Sequence, residues 1–332
     1  SYLMSQASHF QMEMVSLVAE IPSYLQGRNP LCIEAVTRRL AKILQLELDL
    51  DSLRPESTEW ELTISGMVEE SEELSEQVRE LEQVYDDDGR LLQGWGNAYV
   101  PNDYVLELAR EHTEFLPAVS IHPGRTDAIK ELDYCIAAGA VMMKCLPNCQ
   151  NINCNDRRFM KFWERMAEAG LPLLAHTGGE HTLQVVRPEY ADPRTLELPL
   201  ECGVTVIAAH AASRSGLRDP DYLPVLSKMF EEFPNLYADI SALNLPFRSY
   251  ALRECLKPEM TQRMVHGSDY PVPVHALWAR MRGLIPKPEG RQWAQCPNPI
   301  ERDYQLKLAI GFSKETFTRI NRLLRLPQPI AV

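Results

Sequence analysis

The chain has 332 residues, 45% of them hydrophobic, with 34 Lys and Arg against 46 Asp and Glu, a net charge of −12. The acidic balance argues against the basic footprint that nucleic acid or an anionic membrane requires. No apolar run reaches the roughly 18 residues that span a bilayer; GVTVIAAHAA (203–212) is about the longest and contains a His.

The opening SYLMSQASHFQMEMVSLVAE has no basic stretch before its apolar residues, which predicts no signal peptide. Residues 1–90 then read as a helical region packed on or inserted into the remainder of the chain. IEAVTRRLAKIL (33–44) has helical periodicity, and MVEESEELSEQVRELEQV (67–84) is an acidic helix with a solvated face. YDDDGR (85–90) is a turn, without the ligand spacing of a calcium loop. LTISGM (62–67) and LLQGWGNAYV (91–100) are the only early segments with the texture of strands.

From residue 91 to the end a strand–helix repeat takes over. NDYVLELAREH (102–112) is expected to be a helix capped by its leading Asn and Asp. LPAVSIHP (116–123) is a buried strand ending at His122, and TDAIKELDYCIAAG (126–139) is a helix closed by Gly139. DRRFMKFWERMAEAG (156–170) is amphipathic and stops at Gly170, and LPVLSKMFEEFP (223–234) leads into another strand. A helix starts near His275, and SKETFTRINRLLRL (313–326) is a last helix with Ser at its N-cap. Cys145, Cys149 and Cys154 lack the paired knuckles of a structural zinc site. The eight cysteines therefore read as reduced, buried thiols, and the location as cytoplasmic.

Five apolar runs end in a chemically active residue: VMMK at Lys144, LPLLAH at His176, VTVIAAH at His210, LYAD at Asp239 and MVHGSD at Asp269. The intervals are 32, 34, 29 and 30 residues, about the length of one strand, one helix and two loops. A (β/α)8 TIM barrel gathers the C-terminal ends of its strands on one face, where catalysis occurs. The fold expected is therefore such a barrel, α/β in class, with its first strands absent or atypical. In this reading His176 is a metal ligand, and His210 either ligates or polarises a substrate carbonyl. Asp269 can hold a metal and take a proton from its water; the plainer role is an N-cap for the next helix. Lys144 contacts substrate or a neighbouring carboxylate, or is carboxylated. Arg214 either grips a substrate carboxylate or lies on the surface. Asp239 either orients a histidine or bonds a loop, and His122 and Trp95 line the pocket.

GAVMMKCLP, LPLLAHTGG, VTVIAAHAA, FPNLYADISA, RMVHGSDYPVP and TRINRLLRL, in that order, resemble the second family of the amidohydrolase superfamily over roughly 95–326. The resemblance implies a TIM-barrel metal-dependent hydrolase acting on a small-molecule amide, ester or lactone, or a decarboxylase of an aromatic acid. It implies a divalent metal, zinc above all, held by His176 and Asp269, with His210 catalytic or ligating. It leaves a homodimer open. The family's first strand also supplies a His-x-His pair, and this chain has none. A barrel that has lost its chemistry and kept a binding role is the rival reading.

Overall fold

The structure, a computed structural model, describes residues 100–326 and the backbone of Val84–Tyr85 and Leu91–Leu92. The expected helix at 33–44, most of that at 67–84, the strand at 62–67 and Trp95 lie outside the described residues. β1 (Val84–Tyr85) and β2 (Leu91–Leu92) pair antiparallel, with Val84 opposite Leu92. They form a sheet of their own, apart from the larger one.

The larger sheet has six parallel strands in chain order. These are β3 (Ala118–Val119), β4 (Met142–Cys145), β5 (Leu173–Ala175), β6 (Val206–Ala208), β7 (Leu236–Asp239) and β8 (Met264–Val265). They are the six strands expected after residue 116. One register row runs Met143, Leu173, Val206, Leu236, and the row nearer the strand ends runs Cys145, Ala175, Ala208, Ala238. All eight side chains are fully buried. Bulky residues fill the deeper row.

Helices connect the strands: α1 (Asn102–Glu111), α2 (Ala128–Ala137), α3 (Pro147–Gln150), α4 (Met160–Glu168), α5 (Glu197–Glu201) and α6 (Leu223–Glu232). α4 buries Phe162, Trp163 and Met166 on one face, and Trp163 Nε1 donates to the Cys154 carbonyl at 3.1 Å. Each such side chain stabilises the fold by about 1.5–3 kcal/mol. Gly170 follows α4 with φ +62, as the sequence predicts. The cap expected on α1 is overturned. Pro101 takes the N-cap position, and Asn102 is buried inside the first turn. Its amide instead exchanges bonds with Ser120, accepting from N–H at 2.9 Å and donating to C=O at 3.1 Å, and reaches Glu131. A tertiary contact has displaced the local one.

After β7 come α7 (Ala251–Cys255), α8 (Pro258–Thr261), α9 (Ala276–Met281), α10 (Lys287–Ala294), α11 (Pro299–Ile310), α12 (Lys314–Thr318) and α13 (Ile320–Leu323). The single helix expected at 313–326 is thus two short ones, and Ser313 sits at the N-cap position without a capping bond. α11 is capped by Asn298, whose Oδ1 accepts the Ile300 and Glu301 amides. Past α13, the Arg325 N–H donates to the Val141 carbonyl at 3.0 Å. Its guanidinium reaches the carbonyls of Ile136, Ala140 and Ala169. This strap lies at the face opposite the polar strand ends. The seven described cysteines are free, five of them buried and Cys202 and Cys296 partly so. No described helix is long and apolar enough to cross a membrane.

Candidate active site

His176 follows directly on β5 and His210 stands two residues past β6, and their ring centroids lie 5.0 Å apart. Both are almost fully buried. Burial, with the nearby Lys144 and Arg248 cations, holds both imidazoles well below the ordinary histidine value, so both are neutral. His176 Nε2 is buried without a hydrogen-bond partner and lies 3.6 Å from Glu180 Oε2.

His210 is set by β7. Asp239 Oδ1 accepts the His210 N–H at 2.8 Å, the Ser241 N–H at 3.0 Å and the Ser241 hydroxyl at 2.5 Å. With its proton on Asp239, Ser241 Oγ accepts from His210 Nδ1 at 2.8 Å. That network assigns the ring proton to Nδ1 and leaves Nε2 bare. His210 Nε2 is then a lone-pair acceptor, which suits ligation or a bond from a water. Asp239 orients the ring through Ser241, which the sequence did not flag. The turn is costly: His210, Ala211 and Ala212 all have positive φ, near +50°, at roughly 1–2 kcal/mol each. The Asp239 bonds hold it in place.

Asp269 lies four residues beyond β8, also left-handed at φ +57. Its Oδ2 is 3.9 Å from His210 Nδ1. Burial, and then the Asp239 charge, push its carboxyl above the usual range, against the pull of Lys144 and Arg248. It does not cap the next helix, because α9 has His275 at its N-cap. Behind this loop, Asp303 of α11 accepts from Lys307 at 2.6 Å and meets His266 Nε2 at 2.9 Å, while Lys307 also donates to the Gly267 carbonyl. Lys307 is fully buried. α11 thereby pins the loop that carries Asp269.

Arg248, absent from the residues picked out by sequence, is 4% exposed. It donates to the Ser213 carbonyl at 2.7 Å and the Gly179 carbonyl at 2.6 Å, joining the loops after β5 and β6. Those loops approach so closely that a Cβ on Gly178 would stand 2.2 Å from the Ser213 carbonyl oxygen. The Arg214 guanidinium stacks 4.9 Å over the Tyr250 ring. His122 is engaged elsewhere, accepting the Gly124 amide and meeting Phe159 edge-on. Lys144, on β4, is close enough to lower the imidazole values and that of Asp269. The structure therefore brings together Lys144, His176, His210, Asp239 and Asp269, and adds Glu180, Ser241 and Arg248. A buried Arg in the irregular LNLPFRSY has no periodic signal by which sequence could have found it.

Among the described residues, no group of three or more His, Cys, Asp or Glu could hold a metal ion. His176 Nε2 is free, and His210, whose Nδ1 is committed to Ser241, has Nε2 left to offer, which makes two imidazole donors with no third His, Cys, Asp or Glu grouped beside them. A zinc site needs three or four protein ligands, so the described residues do not by themselves fit the ion that the resemblance implies.

Six parallel strands in chain order, with acid–base side chains at their C-terminal ends and helices between them, define an α/β fold. A family model described as amidohydrolase, of the second amidohydrolase family, matches residues 95–300, and the chain belongs to that family. Its members include hydrolases and decarboxylases, and they typically use a divalent metal. Among solved structures, an uncharacterised TIM-barrel protein from Bordetella bronchiseptica is 21% identical, covering 72% of this chain and 84% of its own, with a TM-score of 0.43. A 5-carboxyvanillate decarboxylase from Sphingomonas paucimobilis is 12% identical, covering 68% and 71%, at 0.42. A probable 2-pyrone-4,6-dicarboxylic acid hydrolase from Acinetobacter baumannii, with citric acid bound, is 16% identical, covering 67% and 82%, at 0.40. No curated protein gives a significant match.

Proposed function

We propose that the chain hydrolyses a small-molecule amide, ester or lactone at the strand ends. The observation that carries this is the meeting of two neutral imidazoles, 5.0 Å apart, with an aspartate 3.9 Å from one of them. Asp269, made more basic by burial, takes the proton of the attacking water, and a raised carboxyl suits general-base work near neutrality. His210, with Nε2 bare, accepts a hydrogen bond from the attacking water, and Asp269, once protonated, returns that proton to the leaving oxygen or nitrogen. Lys144 supplies positive charge for the oxyanion that forms at the carbonyl. The ion typical of the family would add Lewis acidity, but the described donors are too few to hold it firmly.

A second reading, decarboxylation of an aromatic acid, is favoured by the two cations, Lys144 and Arg248, acting on Asp269; their positive charge would attract a substrate carboxylate. A panel of lactones, amides and hydroxybenzoates separates the two. Hydrolysis without CO2 is the expected outcome, and CO2 release without hydrolysis overturns it.

A further inference from the structure

A cavity of about 220 Å³ opens between α3 and the loops after β5 and β6. By the ~30 Å³ share of a water molecule, that is room for roughly seven heavy atoms. It adjoins the reaction centre through one side chain. Glu180 lines it, and the Glu180 Oε2 lies 3.6 Å from His176 Nε2.

The polar groups on its wall are mostly acceptors. Asn148 is 1% exposed, and its Oδ1 has no hydrogen-bond partner. Asp219 is fixed by His181 Nε2 at 2.9 Å and the Ser215 amide at 3.0 Å. Glu180 Oε1 takes the Thr182 and Leu183 amides, which leaves Oε2 for the interior. Burial pushes the Asp219 carboxyl up, but the bond from His181 and the backbone amides outweigh it and hold it below the usual carboxylate range. No Lys or Arg lines the space. Val185 and Pro220 give it an apolar side.

We propose that this cavity is a specificity subsite for a substrate arm ending in a hydrogen-bond donor, an ammonium group first and a hydroxyl second, and that it rejects carboxylates. The inference rests on the hydrolase reading only in supplying the substrate to which that arm belongs. An ammonium there would donate to Asn148 Oδ1, satisfying a buried acceptor, and would lie against Glu180 and Asp219. An anion would meet both carboxylates with no cation to balance it.

The test is calorimetric binding of three probes, hexanamide, 6-aminohexanamide and adipic acid monoamide, to the full chain carrying Asp269→Asn, which removes the proposed base so that the amides are bound but not turned over. The amine is expected to bind about tenfold tighter than hexanamide, and the acid more weakly than either. Asn148→Leu should erase the preference. Val185→Phe, which fills the space from a partly exposed loop, should erase it too and decides the matter if the Asn148 variant does not fold. Equal affinities, no measurable amine binding, preference for the acid, or a preference that survives Val185→Phe each overturn the proposal. Turnover of p-nitrophenyl hexanoate and 6-aminohexanoate is read separately. Amine preference without hydrolysis of either ester, or of the panel, counts against the hydrolase reading and leaves the subsite standing.

Discussion

Asp269 combines two properties rarely found in an idle aspartate: a left-handed backbone and a carboxyl held above its usual range. Replacing it with Asn keeps the shape and removes the base. Turnover is expected to fall by roughly 10²–10⁴ with the melting temperature nearly unchanged, as steady-state kinetics and a thermal melt would report. A second single-residue effect concerns stability. Burial holds His122 at about 4 against 6.5 for a free imidazole. Between those values the unfolded chain binds a proton that the folded chain does not. Stability is therefore full above pH 6.5 and falls as pH drops through this window, by about 3 kcal/mol for this group. Urea midpoints near pH 7 and pH 4.5 should converge in His122→Asn relative to the unaltered chain. At this scale the sequence was most informative where residues repeat in phase: Lys144, His176, His210, Asp239 and Asp269 all stand at strand ends and converge. Arg248, Ser241 and Asn148 have no such phase. Their significance comes from what surrounds them, a buried ion, a relay and an unsatisfied acceptor, and packing of that kind is invisible before folding.

The elements that carry no chemistry decide how firmly the chemistry is held. α11 begins at a well-made cap, Asn298 followed by Pro299, and ends before Gly311 in a left-handed conformation. Its sequence, PIERDYQLKLAI, shows only a weak apolar stripe because two of its buried residues, Asp303 and Lys307, are charged. Periodicity counts such residues as exposed, so the helix went unread. For the same reason the pair is sensitive. Lys307→Met leaves Asp303 buried with only His266 and Asn244 to satisfy it, which should cost about 3 kcal/mol. A looser 266–269 loop should also lower kcat more than it raises KM. Chemical denaturation and steady-state kinetics check the two parts, and restored stability in Lys307→Met/Asp303→Leu would show that the cost lies in the unpaired carboxylate. Asn102 gives the opposite lesson: a residue well suited to cap α1 was drawn inward to Ser120 and Glu131. Local preference is worth about 1 kcal/mol at a cap, and three tertiary bonds outweigh it.

Over the whole molecule, the regular spacing of the polar heads predicted the order and direction of the six strands, because a parallel sheet requires a crossover of nearly fixed length between strands. It predicted the ligand set less well. An ordered group of heads tells which side chains share a face, but the distances among them depend on side-chain rotamers and on partners such as Ser241. Elemental analysis of protein purified without chelator should accordingly find divalent metal, zinc included, well below one equivalent, with little thermal stabilisation by added zinc. A full equivalent, lost in His176→Ala, would show that donors beyond the described residues complete the site.

The Arg325 strap has a consequence in time. Its side chain bonds to carbonyls 156, 185 and 189 residues earlier in the chain. At synthesis rates of about 5–20 residues per second, those carbonyls emerge roughly 10–40 s before their partner exists. During that interval water must occupy the place of the guanidinium, and the turn between α2 and β4 stays open to chaperones and proteases. The fold's lower face is thus the last to be sealed, and a pause in translation before Arg325 would lengthen the chain's exposure without altering a single native contact.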